Sequence, residues 1–222
     1  MKRVIIFLIG IICASIINAQ ESKAPKNNFK ANMLSPFYNS LNVSYERMLS
    51  SKQKSIQIGL NYMDFNGRLF SLADDYISER VNGGSITFEY RNMFGDNGFD
   101  NIYIAPFMRA MYYERNARYY NYDYSTMSSS NFSDIFHDKS SYLSLGIGAV
   151  VGKQFVFNDF ITLDLFAGPA FQFLLMESRK ATNETKNIPA EVKSNTLLSE
   201  RIPNKYISGY GIRAGLNVGF LF

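Results

Sequence analysis

Six charged residues of this 222-residue sequence stand on one face of short segments in which polar and apolar residues alternate. Successive side chains of an extended strand point to opposite faces, so the apolar neighbours of these six residues face the other way. Acids and bases on a shared inner face can neutralise one another in a structural network, and the alternative is a narrow path for an ion. The six residues are Glu46, Glu89, Arg91, Arg109, Asp164 and Arg213.

A second constellation centres on His137, the only histidine, which Ser140 and Ser141 follow closely. A histidine paired with a serine at the rim of a barrel can act on lipid, as a lipid A deacylase or an acyltransferase does. Geometry, and not proximity in the sequence, defines such a pair. We therefore expect no catalytic site and keep the lipid-modifying enzyme as the alternative.

Metal ions and cofactors have no visible site in the sequence. It holds one histidine and one cysteine, Cys13, and Cys13 lies in a segment that we expect to be removed. Gly146 and Gly148 lie on a strand face and do not form a loop that could cradle phosphate. The 23 basic and 19 acidic residues nearly balance, which argues against a nucleic-acid-binding protein.

Tyrosines cluster between residues 112 and 136, within or beside a long loop that we predict over residues 114–139. Tyrosine gives a binding surface contact area at low entropic cost. The loop is either a solvated segment folded onto the rim or a surface that binds an extracellular ligand or protein. The tyrosines concerned are Tyr112, Tyr113, Tyr119, Tyr120, Tyr122 and Tyr124.

The clearest strand in the sequence covers residues 210–222. One alternate set is apolar, and the other is mostly glycine with Arg213 and Asn217. This pattern suits a wall with lipid outside and a tight polar lumen inside. The strand also resembles the terminal signal of bacterial outer-membrane barrels, which implies recognition by the barrel-assembly machinery through Tyr210, Leu216, Val218, Phe220 and Phe222.

Eight segments alternate in this way, with short connections after the second, fourth and sixth. The connections after the third, fifth and seventh are longer, about 17 to about 28 residues, as in barrels with short periplasmic turns and long outer loops. We predict an all-β fold, an eight-stranded antiparallel transmembrane up-and-down β-barrel, with aromatic residues near both strand ends. The predicted strands are 29–33, 41–46, 56–62, 86–91, 102–113, 143–151, 161–168 and 207–222.

The N-terminal segment is typical of a signal peptide. Lys2 and Arg3 precede a run of roughly fourteen mostly apolar residues, too short to span a bilayer comfortably. We predict a signal peptide over residues 1–19, a short periplasmic leader over 20–28 and the barrel over 29–222. The expected location is the outer membrane, where the barrel is a monomer surrounded by lipid, and the alternative is a soluble ligand-binding barrel in the periplasm.

Four short motifs resemble an uncharacterised family of small bacterial outer-membrane barrels. They lie at residues 32–36, 42–47, 88–91 and 104–107, and the most specific are Ser-Tyr-Glu-Arg and Glu-Tyr-Arg. The resemblance implies an outer-membrane location and eight strands, and it implies no activity. The expected architecture is similar to that of OmpX and the OmpA membrane domain, whose interior is just wide enough for side chains.

Overall fold

The computed structural model describes residues 26–49, 53–66, 76–95, 97–120, 135–183, 188–189 and 209–222. The predicted signal peptide and most of the leader lie outside these residues, as do Tyr122 and Tyr124. In the described part of the chain, no helix has the length and apolar character needed to cross a membrane.

Almost all of the described residues belong to β-strands. A short 3₁₀ helix, Ser35–Tyr38, connects the first two strands. The barrel begins two residues before the predicted boundary. The strands are β1 (Asn27–Asn32), β2 (Ser40–Met48), β3 (Lys54–Asn66), β4 (Tyr76–Phe94), β5 (Ile102–Tyr120), β6 (Ile135–Phe157), β7 (Ile161–Asn183), β8 (Ile188–Pro189) and β9 (Gly209–Leu221).

Eight of these strands close into one ring. Each long strand pairs antiparallel with the next along the chain, and β9 pairs with both β7 and β1. The two-residue β8 only extends the edge of β7 at Thr182 and Asn183. The prediction of an all-β, antiparallel, up-and-down ring of eight strands is confirmed.

The ring has a short-turn end, where β2 joins β3, β4 joins β5 and β6 joins β7. Asn158 and Asp159 connect β6 to β7 with φ angles of 51° and 61°. Two successive residues with positive φ form the type of turn that matches the twist of paired strands, and asparagine and aspartate tolerate this conformation well. Gly98 similarly adopts φ of 62° between β4 and β5.

At the opposite end, four strands run further than the sequence pattern predicted. The long connections predicted after the third, fifth and seventh strands are wrong in part, because β4 begins at Tyr76, β5 ends at Tyr120, β6 begins at Ile135 and β7 ends at Asn183. We call the paired outer parts of these strands the sheet extension; it comprises residues 76–83, 113–120, 135–142 and 176–183. The extension carries polar residues on both faces, so the alternation that marks a strand is missing there.

One β-bulge separates the extension from the rest of β7. Leu143 pairs with Met176 and the next residue, Ser144, pairs with Leu174, which leaves Leu175 as the extra residue. A bulge shifts the alternation by one, so the side chains beyond it exchange faces. Residue 179 consequently points to the inner face of the extension.

Candidate functional site: a buried charge network in the lumen

The first part of the site joins four charged side chains from four strands. Lys30 Nζ lies 2.6 Å from Glu46 Oε2 and 2.9 Å from Asp164 Oδ2. Arg91 Nη1 lies 3.0 Å from the same Asp164 oxygen and 3.6 Å from Glu46 Oε2. All four side chains are fully buried, so β1, β2, β4 and β7 are connected across the lumen by ion pairs.

Glu89 extends this network toward the sheet extension. Its carboxylate binds Arg91 Nη2 through Oε2 at 3.0 Å and Arg213 Nη2 through Oε1. Gln57 Nε2 also donates a hydrogen bond to Glu89 Oε1 at 3.2 Å. One buried carboxylate thereby bridges two guanidinium groups that arrive from β4 and β9.

Neutral polar groups complete the bonding of the buried ions. Tyr103 donates its hydroxyl hydrogen to Asp164 Oδ1 at 2.7 Å, and its ring lies 4.2 Å from the guanidinium carbon of Arg91. Lys30 Nζ donates to Gln154 Oε1 at 2.7 Å. Buried charges that have several such partners avoid most of the desolvation penalty. Gly152 makes room for this arrangement, because a Cβ there would lie 2.4 Å from the Tyr103 ring.

Five of the six residues selected from the sequence are joined by these contacts. Arg109 lies apart: its Nε donates to Thr87 Oγ1 at 2.9 Å, and its guanidinium carbon lies 5.9 Å from the Phe107 ring centre. Within the described residues Arg109 makes no ion pair. Arg91 contacts the carboxylates of both Glu46 and Asp164.

Among the members of the network that sequence reasoning missed are Lys30, Tyr103 and Gln154. Each alternates with outward-facing neighbours; Ile102 and Ile104, for example, are 52% and 39% exposed beside the fully buried Tyr103. The available signal was the alternation itself, because a residue that alternates with outward-facing residues points into the lumen. If this rule had been applied to every polar residue of the strands, it would have placed all three inside.

Apolar side chains close the lumen below the network, at the short-turn end. Met48, Met93, Phe99 and Leu221 are all buried there and pack in one cluster. Met48 and Met93 each lie two residues beyond a network residue on the same strand, Glu46 and Arg91. The network therefore rests on a floor of packed apolar groups.

A second charged cluster lies on the inner face of the sheet extension. Asp138 is buried and accepts hydrogen bonds from Ser140 Oγ and Arg179 Nε, both at 3.1 Å. Arg179 Nη2 lies 2.8 Å and Arg115 Nη1 lies 3.8 Å from Asp138 Oδ2. No sequence pattern indicated this cluster, because its residues fell within predicted loops or beyond the bulge.

His137 lies within strand β6 and not in a loop. Ser140 is on the opposite face of the strand, where it bonds to Asp138. Ser141 is on the same face but four residues away, a distance of about 13 Å along a strand. Neither Ser140 nor Ser141 therefore lies beside His137, and the lipid-modifying enzyme stays an untested alternative.

The tyrosines predicted to form a surface loop belong mainly to strand β5. Tyr112, Tyr113, Tyr119 and Tyr120 all lie within it, so that part of the loop prediction is wrong. Tyr112 is 47% exposed on the outer wall and donates a hydrogen bond to Glu114 Oε1 at 2.8 Å, whereas Tyr113 is half-buried on the inner side.

The predicted assembly signal lies on the outer face of the ring. Tyr210 and Phe220 are 83% and 41% exposed, while Leu216, Val218 and Phe222 are half-buried. Tyr210 packs on Phe171 with ring centres 4.3 Å apart, and Phe220 stacks on Phe160 at 6.4 Å. The backbone of Phe222 exchanges hydrogen bonds with Asn27 at 3.0 and 3.1 Å.

The described residues contain no group of three or more His, Cys, Asp and Glu side chains that could hold a metal ion. The site can therefore be described as a set of ion pairs and hydrogen bonds that tie opposite strands together, with one cation, Arg109, outside the pairing.

Solved structures that resemble this chain include the two that follow. No protein-family model matches the chain, and no curated protein is similar to it in sequence. A major outer membrane protein from Thermus thermophilus shares 13% identity over 90% of this chain and 100% of that one, with a TM-score of 0.48. The N-terminal β-barrel domain of Pseudomonas aeruginosa OprF shares 14% identity over 89% and 98%, with a TM-score of 0.35. Likenesses at this level do not establish a function, and the resemblance to an uncharacterised barrel family stays a prediction.

Proposed function

We propose that this protein is an outer-membrane β-barrel with a structural or surface-interaction role and a lumen closed by its charge network. The observation that carries the proposal is the reversed distribution of polarity. Ions are buried in the middle of the ring, and large apolar side chains cover its outside. A water-soluble protein rarely exposes a continuous apolar surface larger than a few hundred square ångströms.

The apolar surface surrounds the ring. The long strands contribute outward side chains that are about two-fifths to three-fifths exposed, among them Leu41, Ile58, Leu60, Ile86, Phe88, Met108, Ile147, Val151, Leu165 and Phe220. In a bilayer these side chains contact hydrocarbon, and the pairing of β9 with both β1 and β7 removes the open sheet edges that hydrocarbon does not tolerate. We call this surface the apolar belt.

The belt has the height of a bilayer core. Along β4 it extends from Phe94 at the short-turn end to Gly84, which pairs with the exposed Tyr62 and Tyr112. Ten residues at about 3.3 Å each, tilted by about 40°, rise roughly 25 Å. Exposed phenylalanines mark the lower limit, including Phe94, Phe157 and Phe160, as aromatic side chains do at membrane interfaces.

The contacts of the lumen charges and the position of His137 support a role without catalysis. Apart from Arg109, the charged side chains of the lumen bind one another, and neither Ser140 nor Ser141 lies beside His137. The sheet extension rises beyond the belt on one side of the ring and presents Glu114 outward, next to Tyr112 at the upper limit of the belt. A partner at the cell surface, either a ligand or a protein, would meet this extension first. Recognition by the assembly machinery through the apolar face of β9 belongs to the same proposal.

Epitope tags at the two ends of the ring test the proposed orientation. One tag is inserted between residues 127 and 128, in the connection between β5 and β6, and the matched control between residues 50 and 51, which join β2 to β3. We expect antibody to label the first tag on intact cells and the second only after the outer membrane is permeabilised. Recovery of the protein in the soluble periplasmic fraction, or the reverse labelling, would contradict the proposal.

A closed lumen also predicts the electrical behaviour of the pure protein. The charge network and the apolar floor beneath it leave no continuous aqueous path, so we expect negligible single-channel conductance in a planar bilayer. An unrelated porin reconstituted in the same way provides the positive control. Large, steady openings of the unmodified barrel would show that the lumen conducts.

A further inference from the structure

The lumen contains a small polar chamber above the charge network, with a volume of about 50 Å³. Its polar lining comes from β2, β3, β4, β5 and β9 and includes Asn42, Asn61, Ser85, Thr87, Arg109 and Arg213. This volume accommodates a few water molecules or one small ion. The wall of the ring separates the chamber from the surrounding lipid.

The charges around the chamber do not balance. The network and the chamber together hold four cations, Lys30, Arg91, Arg109 and Arg213, against the three carboxylates of Glu46, Glu89 and Asp164. The excess belongs to Arg109, which makes no ion pair with any described residue. An arginine cannot lose its charge by deprotonation in a protein, so the excess charge of the half-buried Arg109 favours the binding of a counter-ion.

Arg213 supplies a second donor to the same space. Its Nη2 binds Glu89, but its Nη1 is buried without a hydrogen-bond partner among the described residues. The guanidinium carbon lies 4.7 Å from the Phe107 ring centre and 4.8 Å from that of Phe166. Arg109 also lies over the Phe107 ring, so both guanidinium groups contact one aromatic side chain and both line the chamber.

We infer that the chamber binds a small inorganic anion between Arg109 and Arg213, and that an oxyanion such as phosphate fits it best. Two planar guanidinium groups match the oxygens of a tetrahedral anion and bind them by charge-assisted hydrogen bonds. The anion neutralises the excess charge of Arg109 and gives Arg213 Nη1 its missing partner. The amide and hydroxyl groups of Asn61 and Ser85 provide further donors.

The test uses the folded, full-length barrel in detergent, titrated with sodium phosphate by isothermal calorimetry. Sodium gluconate at equal ionic strength is the control, because gluconate is too large for the chamber. We expect saturable binding of phosphate and none of gluconate. Arg109→Met should weaken phosphate affinity by roughly tenfold or more, the usual effect of losing a hydrogen bond to a charged group, whereas Arg47→Met on the exposed outer face should leave it unchanged.

A second measurement, the thermal midpoint, shows whether the variant is folded. In gluconate, Arg109→Met removes an unbalanced charge, so its thermal midpoint should equal or exceed that of the unmodified protein. Binding of chloride as well as phosphate would support a small-anion site of lower selectivity. Equal responses to all three salts, or full phosphate binding by Arg109→Met, would overturn the inference. These outcomes do not depend on where the barrel resides in the cell.

Discussion

Asp164→Asn is expected to destabilise the folded barrel by about 3–5 kcal/mol, the usual cost of breaking a buried ion pair by removing one partner. Asp164 accepts from Lys30, Arg91 and Tyr103 at distances of 2.7 to 3.0 Å. The amide keeps the shape of the side chain but leaves Lys30 with Glu46 as its remaining ion-pair partner, and Glu46 must then serve Arg91 as well. Loss of the folded band with rising urea, followed on unheated electrophoresis gels, measures the change.

The protein provides a matched control for this substitution. Asp100 and Lys153 form an ion pair of 2.8 Å, but their side chains are 42% and 35% exposed. Exposed ion pairs contribute about 0–1 kcal/mol, so Asp100→Asn should shift the urea midpoint only slightly. Adding Lys30→Met to Asp164→Asn should recover part of the lost stability, because it removes one of the unpaired cations. Similar midpoints for Asp164→Asn and Asp100→Asn would show that the network does not stabilise the ring.

Ile58→Arg tests the apolar belt directly. Ile58 is 45% exposed and lies near the middle of the belt, between Tyr45 on β2 and Phe88 on β4. An arginine on the lipid-facing surface at the bilayer midplane costs about 2–4 kcal/mol. In water the same exposed substitution would have little effect. We therefore expect a large loss of stability, measured by unfolding in lipid vesicles.

Two variants separate this effect from damage to the strand. Ser178→Arg places the same side chain at an exposed position of the sheet extension, beyond the belt, and should be close to neutral. Ile58→Ala removes the isoleucine without adding a charge and should cost much less than Ile58→Arg. If Ile58→Arg is tolerated as well as Ser178→Arg, the outer surface does not face hydrocarbon.

The sequence predicted the ring well where one face of each strand meets the lumen and the other carries the apolar belt. Alternation identified the inward position of Glu46, Glu89 and Arg213, because each lies on the face opposite the apolar residues of its segment. Lys30 was missed although it obeys the same rule. It lies on a short strand beside the leader. Its role depends on an ion pair with Asp164, which is 134 residues away, so the sequence around Lys30 gives no sign of this contact.

The sheet extension was missed for a different physical reason. Its strands are held by backbone hydrogen bonds to one another, with polar side chains such as Ser140 and Arg179 inside and Glu114 outside. With no difference in polarity between the two faces, the period-two pattern disappears and a strand looks like a loop. The bulge at Leu175 adds a second difficulty, since it reverses the faces and hides the pairing of Arg179 with Asp138.

The pairing of β1 with β9 has a kinetic consequence. Asn27 and Phe222, which bond across this seam, are separated by 195 residues. The entropic cost of joining distant segments comes before their contacts can compensate for it. Neither Lys30 nor Asp164 can be neutralised fully until the two ends meet, so we expect the closing of the seam to be a slow and highly cooperative step of folding.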